Sequence, residues 1–274
     1  GHNAPVTYAL WMILGESLRR KYLETGDDRY LADYNQTLLP IDSLGFRRSA
    51  DGMKTILAEN DLEDHPLMEQ ARVRGIRALS GHSESTDVTN DVNGGPSGIG
   101  VATAAGKATF WDILGSDEYP KIVAIEGEFA MTSGHSQEMK TQAVAQQVGK
   151  RLRVLLSFNN AGIDDELIGG VIQPQYDSYR IIDQWSSYGW NVFSVDDAND
   201  ISQVVAAFKS MEDWDPNDRR PMILVGNTTK GWWPAAVDRK IPGYGDQIVS
   251  YKSHPYTFAM NSDYFVALAK TFEN

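Results

Sequence analysis

Apolar residues concentrate in four short blocks of the chain: "KIVAIEG" (121–127), "RVLLSFN" (153–159), "WNVFSVD" (190–196) and "MILVGNT" (222–228). Val, Ile, Leu and Phe dominate them with little alternation. That is the pattern of parallel strands covered on both faces. It predicts that Ile122, Val123, Ala124 and Ile125 are all buried. Segments of helical period lie between the blocks, at 134–150, 177–188 and 200–212. Strands alternating with helices form right-handed crossover units. The predicted fold is α/β: three layers, α/β/α, with a mostly parallel central sheet.

The first 80 residues read as mainly helical, with polar loops near 25–29 and 49–53. The opening "GHNAPVTYALWMIL" is already an amphipathic helix, so the start looks processed, tagged or truncated. A long glycine-bounded loop (80–100) leads into a small-residue helix, "VATAAGKATFWDIL" (101–114). Beyond Gly231 the chain is rich in Gly, Pro and aromatic residues and reads as irregular. No repeat or low-complexity linker divides it, and the expectation is one domain over 1–274.

Composition narrows the function. The formal net charge of −12 argues against a nucleic-acid backbone or an anionic membrane as the main partner. No apolar run is long enough to span a bilayer. The absence of cysteine removes disulfides, thiolate metal sites and cysteine nucleophiles, and fits a cytoplasmic location.

In a parallel sheet, ligands collect beyond the carboxyl ends of the strands. The first strand ends in Glu126-Gly127-Glu128 and the second in Asn159-Asn160-Ala161-Gly162-Ile163-Asp164. A carboxylate, an amide oxygen and a backbone carbonyl suit a hard cation such as Mg2+ or Ca2+, whose shell phosphate oxygens often complete. The loop "GGPSGIG" (94–100) allows close backbone approach, and the helix after it favours an anion at its N-terminus. Together they point to a diphosphate-bearing cofactor.

At this point the chain resembles a known family, the thiamine-diphosphate enzymes of the transketolase group, in their diphosphate-binding domain. "GPSGIGVATAAGKA" (95–108) resembles the family's Gly-Pro-Leu-Gly-Gln-Gly loop and the helix after it. "IVAIEGEF" followed by "SFNNAGID" resembles a metal motif that opens with Gly-Asp-Gly after one strand and closes with Asn after another. "ALSGHSE" (78–84) resembles the segment whose His lies near the diphosphate. "GHNAPVTYAL" resembles a segment with a cofactor-contacting His. "YGWNVFSVDDAND" and "PMILVGNTTKG" resemble the later strands.

The resemblance implies the thiamine-diphosphate-binding fold, with thiamine diphosphate held through Mg2+ or Ca2+. Glu126 stands where the family has Asp. The metal set is Glu126 with either Asn159 and the Ala161 carbonyl, or Asn160 and Gly162. Gly95, Pro96, Ser97, Gly98, Gly127, Glu128 and Ile163 would contact cofactor, and His2, His82 and His254 would stand on the reacting side. The implied chemistry is attack of the thiazolium carbon on a sugar phosphate or 2-oxo acid and transfer of a carbon fragment. It is ketol transfer between sugars, or decarboxylation as in a 2-oxo acid dehydrogenase component. The family's pyrimidine-binding domain is absent from these residues, so a pyrimidine-domain partner and a homo- or hetero-oligomer are implied. A non-catalytic, transketolase-derived binding subunit is the alternative class.

Plainer roles stand beside these. His2 follows Gly1 as a cloning remnant would. His65 reads as a surface residue and His135 as a helix cap. Glu128 and Glu138 read as solvated acids near a helix N-terminus, and Trp232-Trp233 as a partner-facing loop.

Overall fold

The computed structural model describes residues 4–31, 37–47, 58–59, 75–85, 87–115, 118, 120–159 and 178–228. The chain divides into two compact units, Gly1–Pro96 and Ser97–Asn274.

In the first unit, helix α1 (Ala4–Thr25) buries Ala4, Tyr8 and Met12 at helical spacing against Leu38 and Leu79. The helix stops where Gly26 takes φ +65° and its N–H returns to the Tyr22 carbonyl at 2.7 Å. Asp42, fully buried, accepts the backbone N–H groups of Leu39 and Arg77, each at 2.9 Å. It thereby joins two segments 35 residues apart. Phe46 and Leu79 form a parallel bridge beside it.

The second unit contains helices α2 (Ile99–Leu114), α3 (Gly134–Ala145), α4 (Ser178–Ser187) and α5 (Ile201–Glu212). Its strands are β1 (Ile122–Gly127), β2 (Leu152–Phe158), β3 (Asn191–Val195) and β4 (Met222–Asn227). The strands match the four apolar blocks. They form one all-parallel sheet of order β1-β2-β4-β3. One face packs Ala124, Val154, Leu156, Ile223 and Val225 against Val101 and Ala108 of α2, Met139 of α3, and Ile181 and Trp185 of α4. On the opposite face, Leu155, Phe193, Val195 and Leu224 meet Val204, Phe208 and Met211 of α5. Side chains alternate across each strand, so both helix layers draw on the same strands.

One expectation fails. Val123 is 52% exposed and Ile125 56% exposed. They share a face with Leu155, the register partner of Ile125. Helix α5 covers that face over β3 and β4 and reaches Leu155, but β1 lies beyond it at the edge of the described sheet. The predicted helix at 134–150 is also shorter: α3 ends at Ala145, and Val148–Lys150 is a separate 3-10 turn.

Lys140 of α3 is fully buried. Its ammonium donates to the amide oxygens of Gln137 and Gln184, at 3.1 and 2.9 Å, and faces the Trp185 ring at 4.8 Å. No carboxylate pairs with it among the described residues. Burial pushes its pKa down to about 8. The unfolded chain keeps the ordinary value, near 10.4. Between the two, the unfolded state holds more protons, so this residue's contribution makes stability rise with pH from about 8 to about 10.4. Below pH 8 the buried charge costs on the order of 3 kcal/mol. Lys140→Met is expected to stabilise the chain at pH 7 by about 1–3 kcal/mol and to flatten that alkaline rise. Denaturant titration at pH 7 and pH 10 checks it; destabilisation at both would show that the amide bonds outweigh the burial cost.

Candidate functional site

Strand β1 delivers Glu126 on the face covered by α2, because it alternates in phase with buried Ala124. Glu126 is half-buried, and no lysine or arginine pairs with it among the described residues. Its Oε1 accepts the Gly127 N–H at 3.3 Å. Desolvation raises its pKa, against the lowering effects of backbone N–H donation from Gly127 and Gly98 and of nearby His135. Burial therefore outweighs the local donors.

The Gly98 donor stands at the N-terminus of α2. Gly98 is the N-cap residue, with φ +82° and no side-chain cap bond. A Cβ there would lie 2.3 Å from both Ser133 Oγ and Ser136 Oγ and 2.7 Å from the Ala130 carbonyl oxygen. The turn is thus seated on a pair of serines that are 2.8 Å apart. Ser133 donates to the Ala130 carbonyl at 2.9 Å, and Ser136, fully buried, lies 3.2 Å from the same oxygen. His135 Nε2 is 3.0 Å from the Ser97 carbonyl oxygen and 3.3 Å from Ser133 Oγ. It ties the glycine loop to the start of α3 and is not the helix cap expected from sequence; Ser133 occupies that position.

β1 and β2 are neighbours in register, with Gly127 opposite Ser157. Asn159 leaves β2 two residues beyond Ser157 and is partly buried. Glu126 and Asn159 therefore stand at the carboxyl edge of adjacent strands. Beside Asn159, Ser157 Oγ lies 3.1 Å from Thr228 Oγ1, and the Thr228 N–H donates to the Phe158 carbonyl at 2.8 Å. Gly127 begins the 3-10 turn Glu128–Thr132. Glu128 in that turn is 2% exposed, which corrects its plainer role as a solvated acid. Glu138 is exposed, as that role required. Gly95, Pro96 and Ser97 are exposed. Asn160, Ala161, Gly162, Ile163, His2, His254, His65 and Trp232-Trp233 lie outside the described residues.

His82 belongs to the first unit, where it is exposed and lines a cavity of about 460 Å3 with Arg47, Ser80, Gly81, Glu84 and Asp87. Tyr8 donates to Asp87 Oδ2 at 2.5 Å and lies 3.1 Å from the Ser80 carbonyl oxygen. Burial, then the bond to Asp87, drives the Tyr8 pKa far up. Sequence reasoning passed over Asp87 and Arg47, and also Ser133 and Ser136. The run "TSGHSQ" directly after the acids was the one visible signal for the serines.

Among the described residues, no group of three or more His, Asp or Glu side chains is placed to hold a metal. Of the expected oxygen ligands, only the Glu126 carboxylate and the Asn159 amide lie among the described residues, on adjacent strands. Glu126, with no lysine or arginine paired to it among the described residues, lies beside a helix N-terminus without a side-chain cap, which favours an anion.

Comparison with known proteins bears on the same elements. The family described as "Transketolase, thiamine diphosphate binding domain" matches residues 64–239. Transketolase 1 of Candida albicans is 28% identical over 179 residues, covering 60% of this chain and 24% of that protein. Transketolase of Bacillus subtilis (strain 168) is 26% identical over 162 residues, covering 56% of this chain and 22% of that protein. The chain thus aligns with about a quarter of the length of these curated relatives. Among solved structures, transketolase from Campylobacter jejuni matches 64% of this chain and 25% of its own, at 22% identity and a TM-score of 0.48. The family match takes in β1, β2, β3, β4, the glycine loop and both acids, well over half of the sequence; the chain belongs to the transketolase thiamine diphosphate binding domain family.

Proposed function

We propose that this chain is the diphosphate- and metal-holding part of a transketolase-like active site that transfers a ketol unit between sugars. The observation that carries the proposal is Glu126: a half-buried carboxylate with no lysine or arginine paired to it among the described residues, at the end of β1 and against the N-terminus of α2. A divalent cation would supply the missing positive charge, with Asn159 or Asn160 and a carbonyl from 161 or 162 as further oxygen ligands. The uncapped N-terminus of α2 and the Gly98 turn would take the diphosphate. Bound thiamine diphosphate supplies a nucleophilic thiazolium carbon and an electron sink. The chain's own share is to fix the diphosphate end, neutralise its charge and hold the Gly98 turn rigid through Ser133, Ser136 and His135.

The curated relatives are transketolases about four times as long as the matched part. The proposal accordingly includes a pyrimidine-domain partner for turnover. Calorimetric titration of the purified chain with thiamine diphosphate, with and without Mg2+, tests it. Saturable binding that requires Mg2+ is expected, with no ketol transfer by the chain alone. Metal-independent binding, or robust turnover from these 274 residues, would contradict it.

A further inference from the structure

Ser97 and Gly98 form a turn immediately before α2, and Gly98 has φ +82° and ψ −10°. The third residue of a type II turn takes about +80° and 0°, whereas in a type I turn it takes about −90° and 0°. The two forms differ by a flip of the peptide that joins Ser97 to Gly98. A trans peptide points its carbonyl and its N–H in opposite directions, so the flip reverses both groups together. In the observed form the Ser97 carbonyl faces the start of α3, and the Gly98 N–H donates to Glu126. His135, an exposed residue, holds that carbonyl, with its Nε2 3.0 Å from the oxygen. A carbonyl only accepts, so His135 carries a proton on Nε2. Ser133 Oγ, 3.3 Å from the same nitrogen, gives its own proton to the Ala130 carbonyl and therefore also stands to His135 as an acceptor. No other side chain among the described residues donates to the Ser97 carbonyl. With the peptide flipped, a carbonyl oxygen would stand where the N–H now meets the carboxylate, and two acceptors would face each other.

We propose that His135 is a positioning residue that, by gripping the Ser97 carbonyl, selects the type II form of this turn and so aims the Gly98 N–H at Glu126. The consequence for cofactor affinity rests on the function proposed above. The choice between the two turns does not, and it is read without cofactor or metal.

The test is nuclear magnetic resonance of the isotopically labelled chain at fixed pH. A type II turn brings the Ser97 Hα close to the Gly98 amide proton and keeps the amide protons of the two residues apart; a type I turn reverses that order. The parent is expected to show the type II pattern, a strong Hα-to-amide Overhauser contact and a weak amide-to-amide one. His135→Leu keeps bulk but has no donor, and is expected to lower the ratio of the first contact to the second about threefold or more, as loss of one hydrogen bond would. His135→Gln, whose amide can donate to the same carbonyl, is expected to return the ratio to within about twofold of the parent. Both variants remove the imidazole and only one restores the donor, which separates selection of the turn from a general loss of packing. Mg2+-dependent binding of thiamine diphosphate is expected to weaken about threefold or more in His135→Leu and to recover in His135→Gln. A type I pattern in the parent, an unchanged ratio in His135→Leu, or a His135→Gln chain that behaves as His135→Leu does overturns the proposal. A parent chain that binds no thiamine diphosphate contradicts the proposed function instead, and the Overhauser ratios still decide the role of His135.

Discussion

Glu126→Gln is expected to raise the melting temperature of the cofactor-free chain and to abolish its stabilisation by thiamine diphosphate with Mg2+. Desolvation raises the Glu126 pKa in spite of two backbone donors and the nearby His135. An acid with a raised folded pKa binds more protons folded than unfolded in the window between the two values. Its contribution to stability therefore falls as pH rises from the ordinary carboxylate range through the folded value. Above that window the full cost of the buried charge remains. Gln keeps the shape and removes the charge, so both the cost and this pH slope should disappear. The neighbouring helix N-terminus favours the carboxylate, but typically by only about 0.3–1 kcal/mol, and the upward shift shows that burial wins.

Cofactor binding should respond in the opposite direction. At ligand concentrations of about 100 times Kd, the parent chain should gain about 2.7 kcal/mol. Glu126→Gln should gain almost nothing, because an amide neutralises no metal charge, and affinity should fall about 100-fold or more. Thermal melts across pH 4–8, each with and without cofactor and Mg2+, read both effects. A variant that melts lower than the parent without ligand, or is stabilised as much by ligand, would remove Glu126 from the metal site.

Gly98→Ala is expected to be the most damaging small substitution at the site. Two costs add. Alanine at φ +82° carries roughly 1–2 kcal/mol of left-handed strain. Its Cβ would also stand 2.3 Å from two serine oxygens and 2.7 Å from the Ala130 carbonyl oxygen, so the turn must lift from its seat. Overpacking of that kind costs about 1–3 kcal/mol, for a total near 3 kcal/mol or more. In a unit of this size that lowers the melting temperature by roughly 6–12 °C. Lifting the turn also moves the first N–H groups of α2 away from Glu126, so cofactor affinity should fall with stability. The double background Ser133→Ala/Ser136→Ala supplies the control. Removing both hydroxyls opens space for the new methyl, so Gly98→Ala should cost less there than in the parent. An equal cost in both backgrounds would refute the seating of the turn on the serines.

The elements were legible because local pattern determines them. Unbroken Val, Ile and Leu runs of strand length between helix-period segments have one economical arrangement, a parallel sheet between helix layers, and the four strands fall where those runs do. Loop composition likewise marked the Gly98 turn and the acids after β1, since a positive φ demands glycine and strand ends collect ligands. Other properties depended on groups distant in sequence. Whether Val123 and Ile125 are covered depends on how far α5 extends across the sheet, and no residue of β1 encodes that. Glu128 has the composition of a solvated helix-end acid, yet the 3-10 turn after β1 rotates it inward to 2% exposure. Lys140 occupies a position that sequence would assign to a surface; burial beside Trp185 and Gln184, 44 and more residues on, lowers its pKa.

By itself, then, the sequence determined the strands, the helices, the glycine turn and the acid that ends β1, because these follow from periodicity, backbone stereochemistry and residue type within a few positions. The tertiary structure alone decided which charges are desolvated and which serines seat the turn. Those depend on what packs opposite, and desolvation and contact are properties of pairs brought together by the fold.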